Sequence, residues 1–154
     1  MKLRPLCDKF EHLASWLQAP VLLLIRLAWG FQLFESGRGH LTHVEKTAQQ
    51  FAEWHIPFPV LNVYLSGSVE LAGGVLLMLG LFARFVSVPL FFNFCVAYAT
   101  ASPDAVKSLL HLDPDDFIND AAFPFLVTSL LICAFGPGKL SLDALFFKKT
   151  PAGK

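Results

Sequence analysis

Charge is scarce in this chain of 154 residues, where Asp, Glu, Lys and Arg together make up 16% against roughly a quarter in an ordinary soluble domain. The 12 Lys and Arg balance the 12 Asp and Glu to a formal net charge of zero. With no basic run and no aromatic-interleaved basic patch, nucleic acid is excluded as a partner. Cysteine is scarce as well: Cys7, Cys95 and Cys133 stand far apart, and no CxxC, haem CxxCH, iron–sulfur set or dinucleotide loop is present. Any electron carrier is therefore bound noncovalently or belongs to a partner. Cys95 and Cys133 fall inside apolar stretches and read as inert packing. The first twenty residues also lack the basic start, immediate apolar core and small-residue cleavage site of a signal peptide.

Apolar residues are abundant. They make up 55% of the chain, 16 of them phenylalanine, and the mean hydropathy is +0.55. They gather into four blocks, about residues 17–34, 60–83, 85–101 and 117–136, each approaching the roughly 20 residues that cross a bilayer as a helix. A barrel would need many alternating strands, which this sequence lacks. The fold class predicted is all-α, an integral membrane four-helix bundle forming one domain over residues 1–154. Only "ARF" separates the second and third spans, so they form a tight antiparallel hairpin with Arg84 in its turn. In "CDKFEHLASWLQAP", Phe10, Leu13, Trp16 and Leu17 recur at helical spacing between charges. That pattern fits an N-terminal amphipathic helix lying in the interface, or a helical extension of the first span.

Lys2, Arg4 and Lys9 precede the first span, Arg84 joins the second to the third, and Lys139, Lys148, Lys149 and Lys154 follow the fourth. The other side carries Arg38, Lys46 and Lys107, so the positive-inside rule places both termini in the cytoplasm. The two longer loops then face outward, carrying His40, His43, His55 and His111 with Glu35, Glu45, Glu53 and aspartates between Asp104 and Asp120.

Ionisable residues inside a span are costly and face a partner or a cavity. Counted from Pro20, Arg26 lies about 9 Å deep; counted from Arg84, Glu70 lies about 21 Å deep and Asn93 about 14 Å. Arg26 and Glu70 thus form a candidate intramembrane pair, with Asn93 near their level. One reading makes the pair structural, with Asn93 as interhelical glue. The other makes Glu70 a proton acceptor beside a bound small molecule. Gly67, Gly73, Gly74 and Gly80 leave a Cβ-free strip next to Glu70 for a neighbouring helix or a flat ring. At the outer end, His40, Glu35, Asp116 and Asp120 are candidate metal ligands on their chemistry, or ordinary solvated loop charge, since their spacings match no defined motif.

The run "RLAWGFQLFESGRGHL" (residues 26–41) resembles the opening helix of the DoxX family of small four-span membrane proteins. "SGSVELAGGVLLMLGLFAR" (66–84) resembles that family's second helix, and "GPGKLSLDALF" (136–146) its C-terminal close. His40 stands where the family frequently has lysine, and would supply that charge only when protonated. The resemblance implies a bacterial inner-membrane protein. Some relatives are small subunits of thiosulfate:quinone oxidoreductases, others are linked to redox-stress complexes, and the subgroup closest in wording is associated with biosynthesis of metal-binding modified peptides. The leading functional expectation is a quinone-linked redox component, at most an oxidoreductase subunit, with Glu70 and Arg26 as the catalytic pair and Asn93, Gly73 and Gly74 lining a quinone site. The alternative is a non-catalytic membrane partner or anchor, supporting metal homeostasis or the export or maturation of a metal-binding peptide through a membrane or periplasmic protein.

Overall fold

The structure, a computed structural model, describes residues 4–146, with side chains from Trp16 onward. Lys2, Lys148, Lys149 and Lys154 lie outside the described residues, as do the side chains of Arg4, Cys7, Lys9, Phe10 and Leu13. Eight helices follow in order: α1 (Arg4–Thr42), α2 (Val44–Glu53), α3 (Pro59–Leu79), α4 (Ala83–Ala101), α5 (Pro103–Leu110), α6 (Asp115–Asn119), α7 (Phe123–Phe135) and α8 (Leu142–Phe146). No strand occurs among the described residues. The chain is a helical membrane protein: the segments Trp16–Thr42, Pro59–Leu79 and Ala83–Ala101 are each long and apolar enough to cross a bilayer. Exposed apolar side chains such as Leu24, Phe31, Leu65, Phe92 and Val96 run along their outward faces, where hydrocarbon replaces water as the solvent.

The N-terminal segment continues the helix of the first span without a break, so of the two readings above the extension is the one observed. Pro20 sits inside α1, which membrane helices tolerate because neighbouring groups re-satisfy the freed carbonyl. The helix also runs on to Thr42, past the expected end at residue 34, because Glu35 and Arg38 pair at 2.7 Å across one turn of its exposed face and no proline interrupts it.

The α3–α4 hairpin forms as its spacing requires. Gly80 takes a left-handed φ of +65°, and the amides of Gly80 and Leu81 donate to Leu77 O and Leu76 O at 3.0 Å, a Schellman close. The turn comes three residues earlier than expected, and Arg84 stands in the first turn of α4.

The fourth block departs further from expectation. Instead of one span over 117–136, the chain forms α6, bends at Asp120 (φ −67°, ψ 142°) and starts α7 beside Pro124. Proline supplies no amide to carry a helix across this point. Asp120 instead accepts from Ala122 N at 2.8 Å and from Ser102 Oγ at 2.5 Å. The 13 residues of α7 rise about 20 Å, short of the roughly 30 Å hydrocarbon core.

α1 packs on α3 and α7, and α4 packs on α3 and α7. The α1–α3 contact is the closest, because Gly30 and Gly37 meet Gly74 and Gly67 in antiparallel order. A Cβ on Gly74 would stand 2.6 Å from Gly30 O and from Phe34 N, and one on Gly37 would stand 2.6 Å from Gly67 O. Such small-residue seams are how membrane helices gain van der Waals contact without a hydrophobic driving force. Leu33, Leu77, Leu90, Phe94 and Ile132 fill the core between the four helices. α2 folds back onto α3, burying Ala48 and Phe51 against Val63.

Candidate functional site

Glu70 lies on the inward face of α3 with 4% of its surface exposed. It is buried within an apolar helix of spanning length, so its carboxylate must find partners within the bundle or pay the full desolvation cost. It finds them on three helices. Ser36 of α1 donates to Oε2 at 2.7 Å, Asn93 of α4 donates to Oε1 at 2.9 Å, and Ser66, one turn earlier on α3, donates to Oε1 at 3.3 Å. His40 of α1 brings Nδ1 to 3.5 Å from Oε2, an ion pair only when the imidazole is protonated. That nitrogen is buried and has no hydrogen-bond partner.

These polar groups form one wall of a cavity of about 440 Å³. The remaining walls are largely aromatic and aliphatic: Phe51, Trp54 and Ile56 from the α2 side, Leu65 and Val69 from α3, Phe92, Phe94 and Val96 from α4, and Phe125 from α7. Trp54 stacks on Phe51 at 5.8 Å, Phe51 meets the His40 ring edge-on at 6.1 Å, and Phe94 stacks on Phe125 at 5.1 Å. Leu65, Phe92 and Val96 are also among the exposed apolar side chains, so the cavity reaches the lipid-facing surface between α3 and α4. Volume, apolar lining and a few converging polar groups are those of a small-molecule site. A few converging donors and acceptors in a largely apolar lining suit a ligand that carries a polar group on an apolar body.

Asn93 and Glu70 are thus brought together. Arg26 is not. It is fully buried at the other end of the α1–α3 seam, ten residues or about 15 Å along α1 from Ser36. There its Nη2 donates to Leu140 O, while a Cβ on Gly80 would collide with the guanidinium. The expected Arg26–Glu70 pair therefore does not form. The antiparallel register sets Ser36 opposite Glu70 and Arg26 opposite the end of α3.

Gly73 and Gly74 do not line the cavity either. Leu90 packs over Gly73, and the backbone of α1 over Gly74, so this strip is occupied by neighbouring helices.

The four metal candidates also separate. His40 turns inward to Glu70, Glu35 pairs with Arg38, Asp120 caps the approach to α7, and Asp116 is exposed. Among the described residues no group of three or more His, Cys, Asp or Glu is placed to hold a metal ion.

Some features were missed in the sequence. Ser36 carries no signal beyond being a hydroxyl near the end of an apolar run, and Ser66 was also passed over, although its place four residues before Glu70 sets it on the same helix face. Asp143 was also passed over. Its carboxylate accepts from Phe82 N at 2.7 Å and Ala83 N at 3.0 Å, capping α4, and its own amide donates to Gly80 O at 2.9 Å. An Asp just after a turn-rich "GPGKLS" run is the available hint.

Comparison with known proteins places the chain in a family. The DoxX family model matches residues 21–103. The Bacillus subtilis (strain 168) protein named "Putative oxidoreductase CatD" is 30% identical over 128 residues, covering 82% of this chain and 87% of that protein. No solved structure matches the chain significantly.

Proposed function

From the premise that this chain belongs to the DoxX family, we propose that it is a quinone-linked redox component of a bacterial inner membrane, working with an electron-donating partner and binding the quinone head group in the Glu70 cavity. One observation carries the reading: a buried carboxylate held by donors from α1, α3 and α4 forms the polar wall of a cavity that is otherwise largely aromatic and aliphatic and opens toward lipid. The named relative's description as an oxidoreductase supports the same reading.

A quinone supplies two-electron chemistry, taking up two electrons and two protons to become a quinol; the electrons come from the partner. The residues of this chain handle position and protons. Phe51, Trp54 and Phe92 exclude water and orient a flat ring, and Asn93 fixes the Glu70 carboxyl through Oε1. Glu70 exchanges a proton at the head-group oxygen. His40, 3.5 Å away and with 28% of its side chain exposed, passes the proton between Glu70 and the solvent at the outer end. Arg26 takes no part in this step and is a structural residue.

The proposed orientation has both described ends on the cytoplasmic side. It rests on Arg84 and Lys139 at the end where the α3–α4 turn meets residues 136–144, with Arg38, Lys46 and Lys107 toward the other. Supporting it, Ala19 near the start of the first span and Gly138 after α7 lie close together.

The test is Glu70→Gln in the native membrane. Loss of quinone-coupled electron transfer by about 100-fold, the lower range for a removed acid–base group, is the expected result, with the protein still folded and inserted. Unchanged turnover in a folded variant rules the role out.

A second reading, a non-catalytic membrane partner, has its own support in the exposed Leu110, Leu112 and Ile118 around α5 and α6. That apolar surface at the outer end suits docking of another protein. Replacing these three by serine would abolish complex formation under this reading and leave quinone binding intact.

A further inference from the structure

A second, larger cavity lies at the opposite end of the bundle, and the proton chemistry makes no use of it. It measures about 700 Å³, and its wall is formed where Gln18 of α1, Arg84 and Phe85 of α4, Phe135 of α7 and Lys139 of the following loop come together. We propose that this cavity binds the phosphate head group of an anionic phospholipid.

The charge balance favours an anion. Arg84 and Lys139 are both exposed, and neither forms an ion pair within 4.0 Å among the described residues. The acid that lines the cavity, Asp143, keeps its negative charge while accepting from Phe82 N and Ala83 N, so Arg84 and Lys139 outnumber it and the lining remains net positive. Arg84 is also held in place. Its Nη2 reaches Ala134 O at 3.4 Å, and its Nε lies 3.0 Å from where a Cβ on Gly136 would stand, at a backbone φ of +78°. Gly136 therefore lets the guanidinium lie flat on the loop, with Nε and Nη1 free of hydrogen-bond partners among the described residues. A planar, fixed guanidinium beside a mobile ammonium suits a phosphate diester.

The surroundings select lipid over a soluble phosphate. Phe85 is 79% exposed and Phe135 62% exposed, and both belong to helices of the bundle, so acyl chains can lie along them while the head group occupies the cavity. Basic pockets between membrane helices at the cytoplasmic surface bind anionic head groups in this manner. The proposed orientation places this cavity at that surface, although the binding itself depends only on the bilayer and these side chains.

The experiment compares the full chain with the double variant Arg84→Gln/Lys139→Gln, each in nanodiscs containing equal phosphatidylglycerol and phosphatidylcholine. Native mass spectrometry reads the lipids retained. The wild type should retain phosphatidylglycerol preferentially. Removing two charges, at about five-fold each, should lower the preference about 25-fold. The pair Arg38→Gln/Lys107→Gln at the opposite end should leave it unchanged, and the charge-keeping variant Arg84→Lys/Lys139→Arg should keep most of it, which guards against a folding artefact. Equal retention of the two lipids by wild type overturns the proposal, as does an unaltered preference in the double variant. Displacement of the lipid by millimolar glycerol 3-phosphate would assign the cavity to a soluble phosphate instead. Because Glu70 is untouched, quinone binding should be unaffected whichever way this test falls.

Discussion

Asn93 donates to Glu70 Oε1 at 2.9 Å, tying α4 to α3 at the wall of the cavity. The bond does two things at once. It satisfies part of a buried carboxylate, and it fixes which way that carboxylate faces, with Oε2 left to Ser36 and within reach of His40.

Asn93→Leu removes this bond and leaves Oε1 with only the longer contact from Ser66. Interhelical hydrogen bonds in membranes contribute roughly 0.6 to 2 kcal/mol, so the variant should lose about that much stability in a detergent unfolding titration. Its affinity for quinone should fall more than its stability, since the carboxylate is no longer oriented. Equal affinity in a measurably destabilised protein would reduce Asn93 to interhelical glue.

The glycine seam makes a sharper structural prediction. A methyl on Gly37 would press into Gly67 O at 2.6 Å and the backbone of Leu71, whereas one on Gly39, two residues away on the same helix, meets nothing within 4 Å. Gly37→Ala should destabilise by about 1 to 3 kcal/mol, the usual cost of overpacking. Gly39→Ala should be neutral or stabilising by up to about 1 kcal/mol through helix propensity. Thermal unfolding of the two purified variants in the same detergent distinguishes them.

Arg26 and Asp143 are assigned to the fastening of residues 138–144 against the α3–α4 turn. Asp143→Ala removes a helix cap worth typically about 1 kcal/mol and should accelerate hydrogen exchange at the amides of Phe82 and Ala83. Arg26→Met should loosen the Leu140 segment in the same experiment while leaving quinone retention unchanged. Loss of quinone in a well-folded Arg26→Met would return Arg26 to the site.

The sequence carried the fold well where one physical rule dominates. Three apolar helices of spanning length and a hairpin of a few residues follow from hydropathy and length. The fourth segment did not, because Pro124 and the Asp120 cap break what hydropathy alone reads as continuous. Asn93 and Glu70 were legible as polar groups on adjacent helices, but counting both from Arg84 left them about 7 Å apart in depth; the earlier turn at residues 80–82 brings them level. Arg26 was misplaced because its depth was counted from Pro20, and a proline inside a membrane helix does not mark its start. The partners from α1, Ser36 and His40, depend on the antiparallel register of α1 on α3. Gly30, Gly37, Gly67 and Gly74 set that register jointly, and it is visible only once both helices are placed.

The measurement to make first is mass spectrometry of the small molecules that copurify from the native membrane in mild detergent, for wild type and for Glu70→Gln. Stoichiometric quinone with the wild type and none with the variant is the outcome expected from the geometry of the cavity. Wild-type protein free of quinone, or a variant that retains it in full, would leave Glu70 as a structural carboxylate and the cavity without its proposed occupant.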